Sequence, residues 1–276
     1  MDTTIGKNNM DGLKPVMAGK RGLIMGVAND HSIAWGIANA LSKHGAELAF
    51  TYQNENLRKR VAPLAESVGS DIVLPCDVSD TASLENVFEA VGNQWDNIDF
   101  VLHAIAYSDK SELQGRYLDT TRGNFLRTMH ISCFSFTEVA RLAKPMMNEG
   151  GSLLTLTYLG AEKVMPNYNV MGVAKAALEA SVRYLAVDLG GDGVRVNALS
   201  AGPMRTLAGS AIADARYVYK KTAERSPIRR AVTLDEVGNS GFYLLSPLSS
   251  GVTGETMYVD CGFNVVGMAK PDHPAD

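Results

Sequence analysis

Short apolar runs of four to seven residues recur along the chain, separated by stretches whose apolar positions return every three or four residues. The runs fall at 22–27, 47–52, 72–76, 100–106, 152–157, 195–199 and 256–259. Continuous rather than alternating hydrophobicity marks strands buried on both faces, and the stretches between them read as amphipathic helices that cover those faces. The pattern predicts an α/β fold: one Rossmann-like doubly wound domain, with a seven-stranded parallel sheet and helices on both faces. Ligands of such sheets sit outside the carboxyl ends of the strands, so functional residues are expected there.

No repeat at a solenoid period and no low-complexity tract interrupts the alternation, which favours one domain over 21–267. The polar or Gly- and Pro-containing ends, 1–20 and 268–276, read as flexible tails. The longest break follows Ser200, where small residues, Gly and Pro mix with helix formers; about 200–230 it reads as a substrate flap.

With 276 residues, 46% of them hydrophobic, the chain can bury a sizeable core. A net charge of −4 argues against nucleic acid as the main partner, which needs a basic footprint. Cys76, Cys133 and Cys261 are scattered and odd in number, so neither a disulfide framework nor a metal site is expected, and the cytoplasm suits them. No run spans a bilayer and the first twenty residues lack the apolar centre of a signal peptide, so no membrane insertion is expected.

The first strand runs into Gly26, and a helix with Ile33, Ile37 and Leu41 on one face follows. Gly26 permits an unusual turn, Ser32 is placed to cap the helix, and Gly36 would let it pack close to the sheet. Free helix N–H groups could then hold a diphosphate, although an ordinary strand-to-helix turn reads the same way. At the end of the second strand, Gln53 can hydrogen-bond a ribose hydroxyl where an Asp or Glu often stands; this favours NADH, while Arg58 and Lys59 keep NADPH open. Asp77 and Val78 end the third strand, where a carboxylate and a backbone amide suit an adenine edge; Asp77 is equally readable as a helix cap.

Thr157 leads into Tyr158, Tyr168 follows ten residues later, and Lys175 stands seven further on. Seven residues are nearly two helical turns, about 10.5 Å of rise, so Tyr168 and Lys175 share a face. A ribose fits between them: Tyr168 can donate to a carbonyl oxygen becoming an oxyanion, while Lys175 can hold ribose hydroxyls and add positive charge. Tyr217 and Lys221, with a shorter gap, and Lys163, five after Tyr158, are competing pairs; Tyr217 falls in the flap, where no strand delivers a serine beside it.

From Tyr158 through Tyr168 to Lys175, and again over Arg195–Thr206, the sequence resembles the short-chain dehydrogenase/reductase superfamily, and within it the bacterial NADH-dependent enoyl-[acyl-carrier-protein] reductases. The resemblance spans roughly residues 20 to 266 and includes the six-residue gap between Tyr168 and Lys175. Other members of the superfamily usually show Ser, then Tyr, with three residues before Lys; here the position four after Tyr168 is Gly172.

The resemblance implies NAD as cofactor, with NADH favoured over NADPH, and places Ala104, Ile105, Ala106 and Thr206 beside it. It implies reduction of a trans-2-enoyl thioester on acyl carrier protein, with coenzyme A open as the carrier, within type II fatty acid synthesis by a homotetramer. Tyr107, Met165, Met171 and Leu207 are candidate acyl-pocket walls, a role that core packing rivals for the methionines. Tyr158 would shape the pocket or assist proton delivery. Arg205, Arg216, Lys220, Lys221, Arg229 and Arg230 could meet an acidic carrier.

Three positions depart from the family pattern: Ala106 and Cys261 stand where glycine is common, and His130 where many superfamily members have Asn. A carbonyl or 3-oxoacyl reductase on the same fold, and a catalytically inactive nucleotide-sensing protein, are the alternatives.

Overall fold

The computed structural model describes residues 14–210 and 214–268; the residues expected as tails at 1–13 and 269–276 lie outside these. Seven parallel strands form one sheet: β1 Arg21–Met25, β2 Glu47–Tyr52, β3 Val73–Pro75, β4 Ile98–His103, β5 Met147–Thr157, β6 Arg195–Ala201 and β7 Thr256–Val259. Their order is β3-β2-β1-β4-β5-β6-β7. The helices are α1 Ile33–Lys43, α2 Glu55–Ser67, α3 Thr81–Gly92, α4 Arg122–Met129, α5 Ser135–Ala143, α6 Asn169–Gly190, α7 Leu207–Ser210, α8 Ala215–Arg225 and α9 Leu234–Leu245, with a π turn at His130–Phe134 joining α4 to α5. The chain winds outward from β1 to β3 and then resumes at β4 on the other side of β1. That reversal opens a crevice above the ends of β1 and β4.

Alternate residues of each strand feed two separate cores, the doubly wound arrangement the periodicity predicts. Leu23 and Met25 of β1 pack with Val87 and Val91 of α3, Val139 of α5 and Val182 of α6. Ile24, between them, packs on the other face with Ile37 and Leu41 of α1, Val61 of α2 and Val237 of α9. Among the described residues no helix is long and apolar enough to cross a membrane.

Three expectations need correction. Residues 104–106 are not strand: β4 stops at His103, and the apolar residues beyond it are exposed to a cavity rather than to sheet neighbours. Residues 14–20 are not tail: Met17 is 1% exposed in the core under α1, its amide donates to the His44 carbonyl, and Lys20 pairs with the buried Asp99 at 2.9 Å. Gly36 serves a helix, not the sheet. A Cβ there would stand 2.7 Å from the Leu234 side chain, and one on Gly238 would stand 2.5 Å from the Gly36 carbonyl oxygen, so α1 and α9 meet backbone to backbone.

Candidate active site

A cavity of about 920 Å³ opens above the carboxyl ends of the strands. It is lined by Gly26, Ile33, Gln53, Asp77, Val78, Ala104, Ile105, Ala106, Tyr107, Tyr158, Met165, Tyr168, Met171, Lys175, Thr206 and Leu207. The catalytic, cofactor and acyl-wall candidates from the sequence therefore line one cavity, except Ser32, Gly36, Arg58 and Lys59. The Ser32 hydroxyl makes no cap bond to α1; it accepts from the amides of Ala28 and Asn29 at 3.0 and 3.1 Å and so closes the loop that follows β1.

Gly26 starts that loop with φ of 100°, a left-handed geometry open to glycine. A Cβ would lie 2.1 Å from the Ala104 carbonyl oxygen, so the bare backbone also lets two loops approach each other at the switch point. Farther out, the Gln53 amide donates to Asp77 at 3.4 Å, and the Asp77 carboxylate accepts from the Ser79 amide and hydroxyl at 2.9 and 2.6 Å. The hydrogen bonds from Ser79 hold the Asp77 carboxyl below its usual range, and the cap of α3 is Asp80, not Asp77. Asp77 is thus a preorganised carboxylate at the cavity wall.

At the opposite end Tyr158 leaves β5 and Tyr168 opens α6, their rings edge to face with centroids 5.1 Å apart. Asn167 and Asn169 flank Tyr168 with φ of 56° and 33°, values Asn tolerates better than most residues. The Asn169 amide donates to the Glu112 carbonyl at 3.2 Å, which ties this bend to the cavity rim. Room for the Tyr168 ring comes from Gly160, where a Cβ would lie 2.4 Å from it. Burial pushes both phenols well above their ordinary pKa, so each stays protonated and able to donate.

Lys175 lies almost two turns into α6, 6% exposed, and its ammonium donates to the Leu156 carbonyl at 2.8 Å. Burial lowers its pKa to about 8, opposed by the neighbouring Cys133 and Glu179. Gly172 explains why no lysine stands at the shorter gap: a Cβ there would meet the Gly160 carbonyl oxygen at 2.7 Å. The competing lysines are occupied elsewhere. Lys163 donates to the Asn264 carbonyl at 2.6 Å, and Lys221 pairs with Glu224 at 2.6 Å on α8, where Tyr217 is 58% exposed.

Three contributors were not foreseen. Glu179, one turn beyond Lys175, is buried and accepts from the Thr157 hydroxyl at 2.6 Å, bracing the backbone that carries Tyr158 against α6. Spacing of four from Lys175 was the available signal, but a buried glutamate looks like a surface one in sequence. Tyr219 of α8 reaches back to line the cavity and donates to the Met204 carbonyl at 2.7 Å. Ser132 is the third.

The departures from the family pattern also find places. Ala106 lines the cavity without closing it, and Cys261 takes φ of 58°, held beside Asp260, which accepts from the amides of Gly262 and Asn264 at 2.9 Å. His130 sits 3.4 Å from Glu138, a structural partner. The expected basic patch is thinner than the sequence suggests: Lys220 and Lys221 face Glu224, and Arg230 pairs with Glu236, whose carboxyl that contact pulls down to about 2.

Comparison with known proteins decides the family. The family model described as enoyl-(acyl carrier protein) reductase matches residues 26–264. The chain belongs to the enoyl-(acyl carrier protein) reductase family. A Rhizobium meliloti (strain 1021) member named enoyl-[acyl-carrier-protein] reductase [NADH] 2 is 64% identical over 259 residues, covering 94% of this chain and 96% of that protein. A Bacillus subtilis (strain 168) enoyl-[acyl-carrier-protein] reductase [NADH] is 50% identical, covering 90% of this chain and 97% of that one. Among solved members, the enoyl-(acyl-carrier-protein) reductase of Anaplasma phagocytophilum in complex with NAD superposes with a TM-score of 0.90 at 59% identity, covering 94% of this chain and 98% of that one.

Proposed function

We propose that Tyr168, Tyr158 and Lys175 carry the chemistry of an NADH-dependent enoyl-[acyl-carrier-protein] reductase, with Tyr168 aimed at the thioester oxygen of a trans-2-enoyl substrate. The chain is such an enzyme, an oxidoreductase of type II fatty acid synthesis; the residue roles are our reading of the geometry. One observation supports them most: a buried Tyr168 and a half-buried Tyr158, both protonated, and a buried lysine on the helix that Tyr168 caps, facing one cavity.

The residues present fit a dinucleotide. The turn at Gly26 and the start of α1 at Ile33 would take the diphosphate, Gln53, Asp77 and Val78 the adenosine, Lys175 the second ribose, and Ala104–Ala106 with Thr206 the nicotinamide. When bound, NADH supplies the hydride that saturates the β-carbon. Negative charge then gathers on the thioester oxygen, and Tyr168 stabilises it by a hydrogen bond from a phenol that burial keeps protonated. Tyr158 packs its ring against Tyr168 and limits where that phenol can point. Met165, Met171, Tyr107 and Leu207 form the apolar walls for the acyl chain and keep water away from the reacting carbon.

The test is a mixture of protein, NADH or NADPH, and a crotonyl or longer enoyl thioester, followed at the nicotinamide absorbance. Oxidation of NADH with enoyl but not with ketoacyl thioesters is the expected result; oxidation with ketoacyl thioesters instead would overturn the reading. Acyl carrier protein is the proposed carrier, and comparing it with coenzyme A thioesters as substrates tests that choice.

Lys175 provides a second prediction. Its protonated form is the one that holds the ribose, and its folded pKa lies near 8, below the ~10.4 of an unperturbed lysine. The charged form is therefore present below pH 8 and lost as pH rises through that value. The kcat/KM for NADH, which reports groups of the free enzyme, is expected to fall above an inflection near pH 8. Lys175→Ala is expected to weaken NADH binding roughly 10- to 100-fold, the cost of losing charged hydrogen bonds. A profile flat to alkaline pH, or a normal NADH titration of the variant, would contradict the role.

We place the enzyme in the cytoplasm as a homotetramer. The buried free thiols of Cys76, Cys133 and Cys261 suit a reducing compartment, and Tyr184 and Val187, 76% and 81% exposed on α6, offer an apolar face to a second copy. Sedimentation equilibrium tests the assembly and fractionation of cells the location.

A further inference from the structure

Within the segment His103–Asp109, Ala104 to Ser108 line the cavity that Tyr158 and Tyr168 also line, yet residues 104–109 belong to no helix or strand. Backbone in such a place must find its hydrogen bonds outside the sheet ladder. It finds them on one stripe of the helical run from α4 through the π turn into α5. Asn124, Thr128, Ser132 and Ser135 follow one another at intervals of four, four and three, which puts them on one helix face, and each is 0% exposed. A fully buried polar stripe is costly unless every member is satisfied.

Each member is engaged with the segment. The Ser135 hydroxyl lies 2.8 Å from His103 Nε2, on a ring that burial keeps neutral with its pKa lowered to about 3. The Ser132 hydroxyl accepts from the Tyr107 amide at 2.9 Å and donates to the Tyr107 carbonyl at 3.0 Å, as a neighbouring strand would. Thr128 donates to the Ser108 hydroxyl at 3.0 Å, and the Asn124 side-chain carbonyl accepts from the Asp109 amide at 3.0 Å. Outside the stripe, Asp109 accepts from the Tyr107 phenol at 3.0 Å and from Arg127 at 3.1 Å, which sets the Tyr107 ring at the cavity mouth. Ser132 stands in the middle of the π turn, a rare helical form found mostly at functional sites.

We infer that this buried stripe, with Ser132 at its centre, is a positioning device that holds the Tyr107 wall at a fixed distance from the two tyrosines and thereby sets how the enoyl thioester is received. Ser132 touches no reacting atom; it acts through the Tyr107 peptide. The inference rests on the proposed placement of the substrate beside Tyr107.

The experiment compares the full-length enzyme with Ser132→Ala by amide hydrogen exchange over residues 104–109, NADH titration, and KM for a crotonyl thioester. Loss of both hydrogen bonds to the Tyr107 peptide predicts exchange at the Tyr107 amide faster by about tenfold or more with Asp109 unchanged, and a KM for the enoyl thioester raised by about tenfold. NADH affinity is expected to stay close to that of the parent. Should Ser132→Ala not fold, the isosteric Thr128→Val carries the same kinetic comparison.

Unchanged exchange at Tyr107 would show the stripe to be idle and overturn the inference. So would a rise in enoyl KM accompanied by parallel losses of NADH affinity and thermal stability, the mark of a merely structural role. Faster exchange with an unchanged KM also overturns it, and Tyr168→Phe then locates the fault. Impaired turnover in that variant leaves the substrate placement standing and sinks only the positioning role; unimpaired turnover puts the placement itself at fault.

Discussion

Replacing Tyr168 with phenylalanine is expected to lower kcat by roughly 10²- to 10³-fold while leaving NADH affinity near that of the parent. Removal of one preorganised oxyanion donor costs about 2.7–4 kcal/mol in the barrier, and nothing else in the variant need change. The ring keeps its edge-to-face contact with Tyr158 and its seat against Gly160, so the fold and cavity shape survive. Lys175 keeps its bond to the Leu156 carbonyl, which leaves the cofactor contacts intact. A turnover number within a few-fold of the parent, measured at saturating NADH, would remove Tyr168 from the chemistry.

The second large effect is expected at Gly26. An alanine there must hold φ of 100°, which costs about 1–3 kcal/mol for a residue with a side chain, and its Cβ would stand 2.1 Å from the Ala104 carbonyl oxygen. The clashing atom is backbone at the end of β4, so relief requires moving one of the two loops that meet at the switch point. Gly26→Ala should therefore lower the thermal midpoint and weaken NADH binding together. Both are read from one preparation, by melting with and without NADH. A parent-like melting curve with parent-like stabilisation by NADH would show that the close approach is not needed.

Much of the fold was legible because it depends on local periodicity. Five of the seven strands begin and end within two residues of the apolar runs; β4 stops short of its run at His103, and β5 begins earlier, at Met147, where its first residues pair past an irregularity in β4. Residues 104–106 were misread for a clear reason. Apolar residues that line a cavity and apolar residues buried in a sheet look alike in sequence, and only the position of their neighbours separates them. Met17 was missed because a single buried residue in a polar stretch carries no period.

The candidate site was legible where its geometry is helical. The spacing brings Tyr168 and Lys175 to one cavity, although Tyr168 caps α6 instead of lying within it, and Gly26 announced a turn by composition. Ser32 shows the limit: its hydroxyl had loop amides and helix amides within reach, and the closed loop wins. Glu179, Tyr219 and Ser132 were invisible because their partners, Thr157, Met204 and Tyr107, lie 22, 15 and 25 residues away.

By itself the sequence determined the alternation of strands and helices, the placing of Lys175 almost two turns after Tyr168, and the resemblance that names the reaction. These are properties of short range, set by helical rise and by which side chains prefer burial. Only the tertiary structure decided that Gly36 joins α1 to α9, that Asp77 is a held carboxylate instead of a cap, and that a buried polar stripe on α4 and α5 grips the cavity wall. Each of those depends on contact between elements far apart in the chain, where burial turns an ordinary hydroxyl or carboxylate into a fixed point because an unpartnered polar group there is too costly to leave.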